Sequence, residues 1–153
     1  MNANRRVATR GIIYRNGQML LTKQKDDNGG EAENWATFGG GLDPGESLIE
    51  GLHREMIEET GIVPKVGRLL FVQQYAEPDD KSKEYLEFFF HIENTEDYEV
   101  IDLPSTTHGF AEIARAEFVD PTTHHVLPAF LTEIDIKDYI ENERPVFIYN
   151  DLG

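Results

Sequence analysis

Two apolar runs near the start, residues 7–14 and 18–25, are rich in β-forming side chains and flank Asn16-Gly17. Asn-Gly tolerates the positive φ angles of a type I′ turn, so the pattern predicts a hairpin. The polar, glycine-containing stretch 26–34 reads as a loop, followed by a short apolar patch at 35–38. Gly39, Gly40 and Gly41, then Asp43-Pro44-Gly45, are strong turn chemistry. Residues 47–60 carry the clearest helical pattern. Leu48 and Leu52 lie four apart, and Ile49, Leu52 and Met56 repeat at three and four, which makes one apolar stripe. Ser47 and Glu50 have capping-box spacing, and Gly61 is placed to end the helix in the left-handed conformation.

Downstream, residues 66–77 and 84–93 are rich in β-branched and aromatic side chains. Pro78-Asp79-Asp80 separates them, which predicts a second hairpin. Residues 94–103 are acidic and irregular. A strand is expected over 114–119, broken by Asp120-Pro121. Pro128 suits the first turn of a helix predicted to run to residue 142, and 145–149 reads as a last edge strand. No repeat, low-complexity tract or linker interrupts the pattern. The 153 residues are expected to form one domain, 1–153, of the α+β or mixed α/β layered class.

Charge narrows the function classes. Asp and Glu number 29 against 14 Lys and Arg, a net charge of −15. Such a surface repels nucleic acid backbones and anionic membranes, so neither is expected as a partner. No apolar run approaches the ~20 residues that span a bilayer. Residues 1–11 contain no apolar signal core, and the chain has no cysteine. Together these point to a reducing, cytoplasmic setting and remove thiolate metal sites and cysteine nucleophiles. The charge is unevenly spread. Arg5, Arg6, Arg10, Arg15, Lys23 and Lys25 fall in the first 25 residues, which contain no acid. They form either a row of solvated strand residues or a basic edge able to receive an anionic ligand.

The predicted helix has a second face. Glu55, Glu58 and Glu59 are related by three and four residues and converge on one side. Ionised together they repel, which raises their pKa values in the folded chain. An oxygen-rich cluster suits a hard cation such as magnesium, and the adjacent glycine-rich turn lets backbone groups approach a ligand closely. That combination points to phosphate chemistry by metal-assisted attack of water. On the three glutamates alone, a solvated acidic face is the commoner meaning. The spacing of the whole segment decides between the two.

Residues 40–62 resemble the Nudix box, the signature of hydrolases acting on nucleoside diphosphates linked to another moiety. The pattern is Gly, five residues, Glu, seven residues, Arg-Glu, an aliphatic residue, one residue, Glu-Glu, one residue, Gly, an aliphatic residue. Gly40, Glu46, Arg54, Glu55, Glu58, Glu59 and Gly61 fill its seven fixed positions, and Met56 and Ile62 its aliphatic ones. At about 7% per position, chance gives this match on the order of 10⁻⁸ times per starting point. One departure is visible: many members have Pro-Gly-Gly where this chain has Phe38-Gly39-Gly40. Loss of the proline leaves that turn less constrained.

The resemblance implies a Nudix-type α/β/α sandwich with a mixed β-sheet and a strand–loop–helix catalytic motif. It implies that Glu55, Glu58 and Glu59 bind Mg²⁺ or Mn²⁺, that one of them also serves as the base, and that the Gly40 carbonyl joins the metal shell. Arg54 would orient a catalytic glutamate, and Glu46 would support the loop. Family members often add a glutamate from a later loop as ligand or base, and Glu112 is the candidate; an exposed loop acid is the equal alternative. The implied substrate is a nucleotide-type small molecule: ADP-ribose or a nucleotide sugar, a nucleoside triphosphate, or a dinucleoside polyphosphate. A homodimer is compatible with the resemblance. A non-catalytic ligand-sensing module is the alternative, but such modules usually lose box carboxylates. Trp35, Phe38, Tyr75, Phe88 and Phe90 are aromatics that a nucleobase could stack on, although strand aromatics are more often core. His53 occupies a variable box position. His124 and His125 are adjacent, do not share a helix face and have no evident third ligand, so they read as surface residues.

Overall fold

A computed structural model describes residues 4–152. The chain begins with strand β1 (Asn4–Ile12), a two-residue strand β2 (Tyr14–Arg15) and β3 (Gln18–Gln24). Then come β4 (Phe38–Gly41), helix α1 (Leu48–Thr60) and the long hairpin β5 (Val66–Ala76) and β6 (Lys83–Ile92). The short helix α2 (Gly109–Glu112) leads into β7 (Ile113–Val119). Helix α3 (Ile136–Glu141) and strand β8 (Phe147–Asp151) follow.

Five strands form a mixed sheet in the order β4-β1-β6-β5-β8, and three form a second sheet, β2-β3-β7. Within the larger sheet β1–β6 and β5–β8 are parallel and the other pairs antiparallel. α1 covers one face, where Leu52 and Met56 pack with Phe38, Phe90 and Ile92. The other face packs Phe71 and Phe89 against Phe130, Leu131 and Ile136, with Tyr139 at its margin. The sheet is therefore sandwiched between helical layers, as the resemblance implies. Among the described residues no helix is long and apolar enough to cross a membrane.

Two expectations need correction. The first hairpin is shorter than its sequence: only β2 pairs with β3 across Asn16 and Gly17, whose φ angles are 52° and 80°. β1 instead joins the larger sheet, between β4 and β6, and the chain re-pairs only at Tyr14. The helix expected over 128–142 is also not continuous. Pro128 is extended, Ala129–Thr132 form a 3-10 turn, and α3 starts afresh at Asp135, whose side chain accepts a bond from the Asp138 amide. This N-cap restarts the helix, and the break lets Phe130, Leu131 and Ile136 reach one core. The second hairpin, the strand before Asp120, and an edge strand close to 145–149 are found where the pattern places them.

Candidate active site

α1 is fixed at both ends by local chemistry. The Ser47 hydroxyl accepts a bond from the Glu50 amide at 3.1 Å, and Gly61 takes φ 74° while donating to the Ile57 carbonyl. Leu52 and Met56 of its apolar stripe are buried while Ile49 is exposed; Arg54, Glu55 and Glu58 face outward over the glycine-rich strand β4, and Glu59 turns inward and is only 4% exposed. β4 lies very close to its neighbours. Gly39, at φ 130°, backs onto the Thr9 carbonyl, where a Cβ would come within 2.0 Å. Gly40 lies against the Glu55 carboxylate, and a Cβ there would stand 2.7 Å from it. A side chain at 39 would strike the β1 backbone, and one at 40 would fill the space the Glu55 carboxylate occupies.

Arg54 organises the outer carboxylates. Its Nε and Nη2 donate to Glu46 at 2.7 and 3.0 Å, a bidentate pair, and Nη2 also donates to the Gly41 carbonyl at 3.0 Å. Nη1 reaches Glu55 at 3.1 Å and Glu58 at 3.3 Å. Glu46 further accepts from the Asp43 amide at 2.9 Å, which ties the loop to the helix. The guanidinium and that amide hold the Glu46 carboxyl at about 2, well below its ordinary value, and the bonds to Glu46 and Glu55 in turn drive the Arg54 pKa up. Glu59 shows the opposite behaviour. Burial pushes its carboxyl up to about 8; the Gly39 amide (2.9 Å) and Arg10 oppose this, and Glu55 and Glu112 add to it. Repulsion within the cluster is therefore secondary to desolvation at Glu59.

The opposite wall comes from α2 and β1. The backbone amide of His108 donates to the Glu58 carbonyl at 2.9 Å, which docks the α2 segment on the end of α1. His108 Nδ1 lies 3.0 Å from Glu58 Oε2. A cleft of about 600 Å³ results, lined by Glu55, Glu58, Glu59 and Glu112 together with Arg6, Arg10 and His108. Of the box residues named from the sequence, Gly40, Arg54, Glu55, Glu58 and Glu59 line this cleft, Glu46 joins it through Arg54, and Gly61 caps the end of α1; Glu112 lies in the same cleft. His108 is 50 residues from Glu58, and nothing in its surroundings in the sequence marks it. Arg10 belongs to the basic opening segment, but its place between Glu87 (2.9 Å) and the Gly39 carbonyl (3.1 Å) follows only from sheet order. The other basic residues of that segment divide: Arg5 pairs with Glu84, Arg15 with Glu99, and Lys23 bonds loop carbonyls. Phe38, Trp35 and Phe90 are buried in the core and Phe88 packs against it, whereas Tyr75 lines a second cavity beyond Arg10. His124 is exposed and edge-on to Trp35.

The donor set consists of carboxylate oxygens plus the Gly40 backbone, which is the chemistry a hard divalent cation takes. The cradle at Gly40, open only because no Cβ is there, fits such an ion. Among the described residues, however, no group of three acidic or histidine side chains already converges to hold one. Glu55 and Glu58 are turned toward Arg54, and Glu59 toward the Gly39 amide. Ligation would take modest side-chain rotations about a fixed backbone.

Comparison with known proteins agrees with this geometry. The chain matches the NUDIX domain family over residues 4–137. It is 48% identical over 50 residues to the nucleoside triphosphatase NudI of Enterobacter sp. (strain 638), a match covering 33% of this chain and 36% of that one. The fold is similar to the solution structure of the Escherichia coli ORF135 protein, with TM-score 0.68 and 22% identity over 94% of this chain and 95% of that one. It is equally similar to the MutT protein of Methanosarcina mazei Go1, with TM-score 0.68 and 23% identity over 94% and 99% of the two chains.

Proposed function

Since the chain belongs to the Nudix family, we propose that it is a metal-dependent pyrophosphohydrolase. Water would attack a phosphorus of a nucleoside diphosphate linked to another moiety and release a nucleoside monophosphate and the phosphorylated remainder. The observation that carries this reading is the arrangement at Arg54. One guanidinium gathers Glu46, Glu55 and Glu58 beside a glycine strand, at the mouth of a cleft that also holds Arg6 and Arg10. When bound, Mg²⁺ or Mn²⁺ would neutralise charge on the phosphates and polarise the attacking water.

Each chain residue has a part. Glu55, Glu58 and Glu59, with the Gly40 carbonyl, would hold the cation. Arg54 keeps Glu55 and Glu58 in place, and Glu46 anchors Arg54 to the loop. Glu112, on the facing wall, would serve as a further ligand or as the acceptor of the water's proton. Arg6 and Arg10 supply positive charge to the phosphates. The substrate classes are nucleoside triphosphates, ADP-ribose or nucleotide sugars, and dinucleoside polyphosphates. The resemblance to a nucleoside triphosphatase covers only 36% of that protein, so triphosphates are tested alongside the others. A ligand-sensing role without turnover is disfavoured because every box carboxylate is present.

The test is phosphate release from a panel of these nucleotides with Mg²⁺, with added phosphatase to expose monoester products. Turnover that needs the metal and drops on the order of 10²–10⁴-fold in Glu59→Gln is the expected result. A folded protein inert toward the whole panel, with either metal, would remove the hydrolase reading.

A further inference from the structure

The three box carboxylates on α1 are each held by a single oxygen. Glu59 Oε1 accepts from the Gly39 amide at 2.9 Å, and Glu55 Oε1 accepts from Arg54 Nη1 at 3.1 Å. Glu58 is held by Oε2, on which two groups converge: Arg54 Nη1 at 3.3 Å and His108 Nδ1 at 3.0 Å. Among the described residues, the second oxygen of each carboxylate has no protein hydrogen bond. Of the hydrogen bonds Arg54 makes, the one to Glu58 is the longest, and the same Nη1 also serves Glu55. The guanidinium alone therefore leaves Glu58 the least firmly fixed of the carboxylates it gathers. The imidazole supplies the shorter bond. A carboxylate only accepts, so the proton of that bond sits on Nδ1 and His108 is the donor.

The ring is placed by its backbone. The His108 amide donates to the Glu58 carbonyl at 2.9 Å, so the two residues are joined through main chain and side chain together. One residue on, a Cβ at Gly109 would stand 2.2 Å from the Glu59 carbonyl. Thr106 Oγ1 donates to the Leu103 carbonyl at 2.6 Å and accepts from the Phe110 amide at 3.0 Å, which closes the turn before α2. At the far end of α2 the Lys25 amide donates to the Glu112 carbonyl at 2.8 Å. The segment carrying His108 is thus fixed at both ends, and only the side-chain torsions of the ring remain to be set by Glu58.

Fold stability does not call for this bond. His108 is half-exposed, and a side-chain pair so placed contributes little. The backbone bond and the close approach at Gly109 already join α2 to α1. What the imidazole adds is direction. With Oε2 taken from two sides, Oε1 is the oxygen of Glu58 left to bind in a cleft that both residues line.

We propose that His108 is a positioning residue: its Nδ1–H, together with Arg54, ties down Glu58 Oε2 so that Oε1 alone is presented to the cation. The proposal rests on the reading of Glu58 as a metal ligand in a pyrophosphohydrolase. A single-oxygen donor of fixed direction suits the near-octahedral shell that Mg²⁺ demands. In this role His108 touches neither the cation nor the phosphates and acts only through Glu58.

Three variants separate direction from docking. His108→Asn keeps a donor close to the place of Nδ1, His108→Gln moves it toward the place of Nε2, and His108→Ala removes it. Calorimetric titration of the substrate-free proteins with Mg²⁺ should give affinities weaker by about 10-fold or more in the alanine and glutamine variants, and within about threefold of wild type in the asparagine variant. Metal-free melting temperatures should stay within about 4 °C of wild type in all three. In metal-free wild-type protein at about pH 9, where an ordinary imidazole is neutral, a long-range ¹H–¹⁵N spectrum should show His108 protonated at Nδ1, and Glu58→Ala should return it to the Nε2–H form. Wild-type affinity in His108→Ala, no recovery in His108→Asn, no Mg²⁺ uptake by the wild type, or an Nε2–H ring in wild-type protein would each overturn the proposal. So would an affinity loss matched by a large fall in melting temperature in every variant, which is the outcome expected of a purely structural latch. Weakened Mg²⁺ binding with asparagine rescue, in a protein that hydrolyses none of the nucleotides, would support the positioning role and sink the hydrolase reading. Mg²⁺-dependent turnover with Mg²⁺ affinity insensitive to all three substitutions would do the reverse.

Discussion

At the proposed metal site, burial of Glu59 would make cation binding and proton release one event. With its carboxyl pushed up to about 8, Glu59 should be mostly protonated in the metal-free protein at pH 7. A cation takes the ionised form, so binding should release about 0.9 proton at pH 7, about 0.5 at pH 8 and about 0.1 at pH 9. Apparent Mg²⁺ affinity should rise about tenfold between pH 6 and 7 and flatten above pH 8. The same shift affects stability. The folded pKa lies above the unfolded value of 4.5, so the folded chain holds the proton more tightly. That contribution is fully present below pH 4.5 and is lost as pH rises toward 8, at up to about 1.4 kcal/mol per pH unit. Metal-free protein should therefore lose stability over this window relative to Glu59→Gln, and saturating Mg²⁺ should abolish the difference in slope. Calorimetric titration of Mg²⁺ in two buffers of different ionisation enthalpy gives the proton count directly. A wild-type count near zero at pH 7, or the same count in Glu59→Gln, would refute the argument.

Other residues yield shorter tests. Arg54→Lys keeps the charge but cannot reproduce the bidentate bond to Glu46 while also reaching Gly41, Glu55 and Glu58. It should lower stability by about 1–3 kcal/mol and kcat at least tenfold, read by urea midpoints and steady-state kinetics; wild-type values in both would remove the organising role. Gly39→Ala places a Cβ 2.0 Å from the Thr9 carbonyl at φ 130°, so it should cost more than about 2 kcal/mol in thermal unfolding. Gly17→Ala, at φ 80° in open space, should cost only about 1 kcal/mol, and equal losses would contradict the close approach of β4 to β1. Glu112→Gln should reduce metal-dependent turnover about 10- to 100-fold with little change in melting temperature, and unaltered turnover would take it out of the site.

Much of the site was legible because α1 is specified locally. Its apolar stripe, Ser47 and Gly61 are all readable within a few residues, and the carboxylates follow from the helical period. What reaches the cleft through tertiary packing was not legible. His108 arrives by a backbone bond to a helix end far away in sequence, and Arg10 by the parallel pairing of β1 with β6. The switch of sheets at Ile12 and Ile13 was hidden because two adjacent buried residues read as one strand in a β-rich run. Pro128 suits a helix start by its own chemistry, but Asp135, with its spacing to Asp138, is a second start signal, and there α3 begins. The buried pair Gln73 and Glu87 is not readable either: each polar residue is unexceptional within its own strand, and only strand pairing sets them side by side.

The docking of α2 on α1 also determines how the cleft can respond to what enters it. Gly109 lies so close that a Cβ would stand 2.2 Å from the Glu59 carbonyl, and the neighbouring amide is bonded to Glu58. The two acidic walls, far apart along the chain, are thus pinned backbone to backbone at one point. Their spacing is set like the jaws of a fixed gauge, and adjustment is left to rotation of the glutamate side chains. Mg²⁺ needs bonds of about 2.1 Å and Ca²⁺ about 2.3–2.6 Å. At the proposed metal site, a gauge of this kind would discriminate between them by whether Glu112 can still reach an ion bound at α1, so the glycine at 109 would take part in the choice of metal without touching it.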